Sequence, residues 1–160
     1  MNPMKMNPMK GVDRVYFIMG VFLLLTVCSE PGMDLANDQD FEVTTRWYSE
    51  EQVRSGAVVF AGNCAVCHGS NAEGTAGDWR QRLVDGSFPP PPLDGSAHAW
   101  HHPNSVLLQV INKGGEAFGG KMPAFAEELE EPEKLAVIAY FQNFWSDEIY
   151  AQWIQMGGPN

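Results

Sequence analysis

The spacing of apolar positions changes several times along this chain. Val15 to Val27 is an unbroken, mostly apolar stretch of 13 residues, preceded by Lys5, Lys10 and Arg14. A basic start followed by an apolar core of that length reads as an export signal, and it falls short of the ~20 residues needed to span a bilayer. Residues 29–46 are polar and acidic, hold Pro31 and Gly32, show no apolar period, and read as a linker. The pattern then becomes helical. Ser49-Glu50-Glu51-Gln52 has the capping-box spacing, and Val53, Gly56, Ala57 and Phe60 recur along one helical face. Gly56 on that face lets a second helix backbone cross closely.

Periodicity is lost between residues 69 and 104, where Gly69, Gly74, Gly77, Gly86 and Gly95 surround the run Pro89-Pro90-Pro91-Pro92. Four prolines in a row form extended polyproline and cannot be helical. Asn104 to Ile111 reads as a short capped helix stopped by Gly114-Gly115. A final clear helix starts near Pro132, a good first-turn residue, with Glu130, Glu131 and Glu133 matching the helix dipole. Its centre, Ala136 to Phe141, is apolar nearly all round and predicts burial. Val137, Tyr140, Phe141 and Phe144 are expected to line one side, and the helix is expected to cross the first at Gly56. Trp145 to Asn160 reads as a trailing extension. No segment alternates like a strand, so the predicted fold class is all-α.

Composition adds compartment and surface. The chain has 10 basic and 20 acidic residues, and three of the basic ones but only one acidic lie in the first 28. The remainder therefore carries 7 against 19, a net charge of −12. Such a surface excludes nucleic acid as a partner class, since phosphate needs basic side chains. It suits either a redox partner with a basic docking face or simple solubility. Residues 1–5 and 6–10 repeat Met-Asn-Pro-Met-Lys, which reads as a duplicated start. Leu25-Thr26-Val27-Cys28 closes the apolar stretch and resembles the lipobox of bacterial lipoproteins, with Val27 departing from the usual small residue. The resemblance implies lipidation at Cys28, with an uncleaved signal anchor as the alternative. Both readings put the globular part outside the cytoplasm, on the periplasmic side of a bacterial membrane.

Candidate chemistry centres on Cys64-Ala65-Val66-Cys67-His68. Thiols at i and i+3 on a helix start can each add across one vinyl group of a porphyrin, and the adjoining imidazole then lies under the iron. A redox dithiol or half a zinc site shares the CxxC, but no second Cys pair and no βαβ context accompany it. The three cysteines divide into two for haem and one at the end of the signal. A rigid prosthetic group also accounts for the long irregular stretch, which is otherwise unusual in a compact domain.

Gly56…Phe60…Cys64-x-x-Cys67-His68-Gly69, Pro91-x-Leu93-x-Gly95, Met122-Pro123-Ala124-Phe125 and the aromatic C-terminal helix together resemble a class I cytochrome c over about residues 46–145. The resemblance implies an all-α cytochrome c fold around one covalently attached haem c. It makes His68 and Met122 the axial ligands and has the Pro91 carbonyl bonding the second nitrogen of His68. Met122 as a gap-filling core residue is the bland alternative. Arg80 and Arg82, beside Trp79, are candidates for the haem propionates. The cluster His98, His101 and His102 is read as a surface loop at the haem edge, as a copper or zinc site, or as an alternative source of an axial ligand.

The expected organisation is 1–28 export signal and membrane anchor, 29–46 linker, 47–145 cytochrome c domain and 146–160 C-terminal extension. The expected function is a periplasmic, membrane-tethered monohaem electron carrier between redox partner proteins, without enzymatic chemistry of its own. The alternatives are a haem subunit of a larger periplasmic oxidoreductase, a copper-binding or sensing protein using His98, His101 and His102, and an enzyme with an open iron position.

Overall fold

Local capping starts the first helix. In the computed structural model, which describes residues 45–160, Ser49 Oγ accepts from the Gln52 backbone N–H, and Gln52 Oε1 accepts from the Ser49 N–H. These bonds satisfy two otherwise orphaned donors and begin α1 (Glu50–Asn63), as the sequence pattern predicts. The export signal of residues 1–28, with Cys28, and the linker up to residue 44 lie outside the described residues.

Cys64 closes α1 and opens α2 (Ala65–His68), a single turn that ends at Gly69 with φ +79°. A long non-helical stretch follows, broken by one 3₁₀ turn at Ala99–His101. After it come α3 (Asn104–Lys113), a second 3₁₀ turn at Glu116–Phe118, α4 (Glu131–Gln142) and α5 (Asp147–Gln155). There is no strand among the described residues, and the fold is all-α. No helix among them is long and apolar enough to cross a membrane.

The principal helix contact is the crossing of α1 over α4. A Cβ at Gly56 would lie 1.9 Å from the Ala136 carbonyl oxygen, so only glycine permits the two backbones to come this close. Beside the crossing, the Phe60 and Tyr140 rings pack 5.0 Å apart. Ala136, Val137, Ile138, Ala139 and Phe141 are all buried, which accounts for the absence of a polar face on α4. Phe144, expected on the inner side, is instead exposed just beyond the end of the helix.

One expectation needs correction. The side chain of Asn104 does not cap α3. It is buried, its Oδ1 accepts from Gln142 Nε2, and Pro103 occupies the cap position. Within residues 146–160, read from sequence as an extension, α5 packs on the core. Ser146 Oγ accepts from Ile149 N–H to cap α5, and Tyr150 and Trp153 on that helix are fully buried. Arg46 bridges to Asp147 at 2.8 Å and stacks 4.0 Å over the Tyr150 ring, while Tyr150 Oη accepts from the Trp47 backbone N–H. The segment before α1 and the segment after α4 thus share one aromatic layer.

Gly56→Ala tests the crossing. The substitution improves intrinsic helix propensity by ~0.5–1 kcal/mol but forces a methyl into the Ala136 backbone, and overpacking of this kind costs ~1–3 kcal/mol. Denaturant unfolding of the intact protein is expected to show a net loss of about 1 kcal/mol. Unchanged or higher stability would contradict the close approach.

Candidate haem site

The two thiols are placed by the junction of α1 and α2. Cys67 N–H and His68 N–H both donate to the Cys64 carbonyl, at 3.0 and 2.9 Å, so one tight turn carries Cys64, Cys67 and His68. Cys64 and Cys67 are not joined as a disulfide. Burial, then the neighbouring Cys67, pushes the Cys64 thiol up to about 11. A dithiol built for redox exchange holds a thiol pushed down instead, so the direction at Cys64 does not favour a thioredoxin-like centre.

His68 is buried, and its Nδ1 lies 2.9 Å from the Pro91 carbonyl oxygen. A carbonyl only accepts, so Nδ1 carries the proton and Nε2 keeps its lone pair. Burial holds the imidazole pKa below its ordinary value, with the Pro91 bond acting in the opposite direction. The ring is therefore neutral near pH 7, in the tautomer that a metal requires at Nε2.

The backbone around His68 is drawn tight. Gly74 N–H donates to the His68 carbonyl at 2.6 Å, and Thr75 Oγ1 donates to the Cys67 carbonyl. Ala72 is fully buried with φ +62°, a left-handed conformation rare outside glycine, and its carbonyl accepts from Leu93 N–H at 2.7 Å. Trp145 Nε1 donates to the Leu93 carbonyl at 2.7 Å. Neither Ala72 nor Trp145 is singled out by the sequence pattern. Ala72 acts through its own carbonyl and the Trp145 indole donates to that of Leu93, and such backbone acceptors leave no mark on side-chain periodicity.

Met122 is half-buried and packs on the same core cluster as Cys64, Ala65 and Leu93. It also lines an open cleft of about 560 Å³ with Arg82, Ser87, Gly119 and Pro123. Its carbonyl accepts from Gly115 N–H at 2.9 Å, and a Cβ at Gly114 would lie 2.5 Å from that oxygen. The glycines that press on Met122 are thus Gly114 and Gly115. Gly119, in the left-handed region at φ +78°, turns the chain ahead of it, and its carbonyl accepts from Phe88 N–H. Lys121 pairs with Asp85 across the same cleft, which holds the Asp85 carboxyl far below the usual range.

The loop histidines do not form the metal site considered from sequence. His98 stacks on Trp79 at 4.7 Å, His101 packs on Trp100 at 3.8 Å, and His102 meets His98 edge-on at 5.8 Å. Each ring serves a different aromatic contact, and no three His, Cys, Asp or Glu side chains among the described residues gather as a metal set. Arg80 lies over Trp79 and Arg82 over Phe88, so both guanidinium groups have aromatic partners.

A buried neutral imidazole with Nε2 available, two thiols on one turn and a thioether on a glycine-bounded segment fit a covalently bound haem.

The histidine loop gives a pH dependence. The His98 pKa is lowered by burial, then by His102, His101 and Arg80, and that of His102 by burial, then by His101. A histidine with a depressed folded-state pKa contributes stability above the ordinary value of 6.5 and loses it as pH falls through the folded value. The denaturation midpoint of the intact protein is expected to drop between pH 7 and pH ~5, and His98→Gln to flatten that drop. An unchanged slope in His98→Gln would contradict the assignment.

Comparison with known proteins agrees with this geometry. A family model described as cytochrome c oxidase, cbb3-type, subunit III matches residues 51–141. Among curated proteins, the cbb3-type cytochrome c oxidase subunit FixP of Azorhizobium caulinodans is 33% identical over 87 residues, which cover 54% of this chain and 25% of that protein. The match thus spans a quarter of the relative's length. No solved structure matches. The family match takes in more than half of the chain, from the first turn of α1 almost to the end of α4, and the chain belongs to that family of c-type cytochromes with covalently bound haem c.

Proposed function

We propose that the chain carries one haem c, attached through Cys64 and Cys67, with His68 and Met122 as axial ligands, and passes single electrons between redox proteins. The observation that carries this reading is the 2.9 Å contact of His68 Nδ1 with the Pro91 carbonyl, which orients the imidazole and leaves Nε2 for iron. When bound, haem c supplies a one-electron couple. The protein's contribution is positional. Pro91 fixes the tautomer and tilt of His68 and raises its basicity. Met122 offers a soft thioether, which favours ferrous iron and raises the reduction potential relative to a second imidazole.

We place this domain on the periplasmic side of a bacterial membrane, held by the N-terminal segment either through lipid at Cys28 or as an uncleaved signal. Residues 45–160 are read as the cytochrome domain, with α5 included. The net charge of −12 after residue 28 suits partners with basic docking faces. A second reading is favoured by the family match: a haem subunit of a membrane oxidase complex, receiving electrons for its catalytic partner. The chemistry at His68 and Met122 is the same in both.

Cys64→Ser with Cys67→Ser is expected to abolish haem that survives denaturing electrophoresis, and each single change to leave one linkage. Haem retained by the double variant would contradict the attachment. Potentiometry of Met122→His is expected to show a lower midpoint potential than the parent protein. An unchanged potential would remove Met122 from the iron.

A further inference from the structure

We propose that Trp145 is a positioning residue for the haem ligand: its indole N–H holds the Pro91–Leu93 segment where the Pro91 carbonyl meets His68. The proposal rests on the reading that His68 ligates iron.

Four consecutive prolines, Pro89 to Pro92, have no backbone N–H, so this segment cannot fix itself by donating hydrogen bonds. The first donor after the run is Leu93 N–H, which reaches the Ala72 carbonyl at 2.7 Å. On the other side of the same residue, the Leu93 carbonyl receives Trp145 Nε1–H at 2.7 Å. Two residues earlier in the same rigid extended stretch, the Pro91 carbonyl faces His68 Nδ1 at 2.9 Å. A shift at Leu93 is therefore passed to Pro91 with little loss.

The indole is itself well fixed. Trp145 is 2% exposed, and its ring packs 6.2 Å from Phe141 and edge-on 5.9 Å from Trp153. Its backbone N–H donates to the Gln142 carbonyl, and its carbonyl accepts from Arg46 Nη2 at 3.2 Å. Gly95 turns over the ring at φ +97°, where a Cβ would lie 3.1 Å from Trp145 Cδ1. Chain from both sides of the haem motif thus meets at Trp145.

Trp153 provides an internal control. It is equally buried, and its Nε1 donates to the His102 carbonyl at 2.8 Å, outside the Pro91–Leu93 segment. The two indoles make the same kind of bond, and only one of those bonds bears on His68.

A firm bond from Nδ1–H to a carbonyl increases the electron density on Nε2 and stabilises ferric iron. Trp145→Phe keeps an aromatic ring in place and removes the N–H. In the intact, haem-loaded protein, this variant is expected to raise the midpoint potential and to speed hydrogen exchange at His68 Nδ1 by roughly five-fold. Trp153→Phe is expected to leave both at their parent values. Failure of either readout to move in Trp145→Phe, or an equal response in Trp153→Phe, overturns the proposal. If Trp145→Phe does not fold, the parent protein supplies the test. Its Trp145 indole N–H and His68 Nδ1–H are expected to share one protection factor, and an indole exchanging roughly ten-fold faster than His68 overturns the coupling. The ligand reading is checked separately. Ring protons of His68 without a haem ring-current shift in the ferrous parent protein would sink that reading before any variant is made.

Discussion

A buried imidazole must place its N–H somewhere, and here the acceptor is the Pro91 carbonyl. That one bond, from His68 Nδ1, decides which nitrogen is free, how the ring is turned and how strongly it donates. Much of the irregular chain around it follows from the same constraint. The turn after α2 uses Gly69 and the left-handed Ala72 to bring a carbonyl to Leu93 N–H, which sets the extended prolines beside His68. Polyproline is suited to this task because it is stiff and presents carbonyls without competing donors.

The helices supply the frame on which that segment rests. Crossing α1 over α4 at Gly56 fixes the origin of the turn that carries Cys64, Cys67 and His68, since α2 continues directly from α1. At the far end of α4 the chain enters an aromatic layer of Trp47, Tyr48, Trp145, Tyr150 and Trp153. The three indoles in this layer reach partners: Trp47 Nε1 donates to Gln142 Oε1, Trp145 to the Leu93 carbonyl and Trp153 to the His102 carbonyl. Buried indoles need such acceptors, and the loop carbonyls provide two of them. Packing and polar satisfaction therefore serve the same segment.

The parts of this arrangement visible in sequence are those encoded locally. The Ser49–Gln52 cap, the Gly56 notch, the apolar run of α4 and the Cys64–His68 turn each depend on residues within a few positions of one another. The burial of α5 was less legible. Tyr150 and Trp153 face Trp47, Tyr48 and the His102 loop, all distant in sequence, and a stretch containing Gln152, Gln155, Gly157 and Gly158 reads as an end of chain. Asn104 looked like a cap because its residue type favours caps, yet a buried amide partner, Gln142, outweighed that preference. The histidine triplet is open in sequence to a surface loop, a metal site or an axial ligand, because residue type alone does not choose among them. Its rings are directed to Trp79, Trp100 and one another, a matter of loop path that residue identity does not encode.

A low-spin iron held between a nitrogen and a thioether is the central expectation of the site. The near-infrared absorption spectrum of the intact ferric protein tests it most directly, because a thioether bound to ferric haem produces a weak charge-transfer band there. That band, together with a low-spin Soret spectrum, is the result predicted if His68 and Met122 hold the iron. A high-spin spectrum, or a low-spin spectrum without the band, would contradict it.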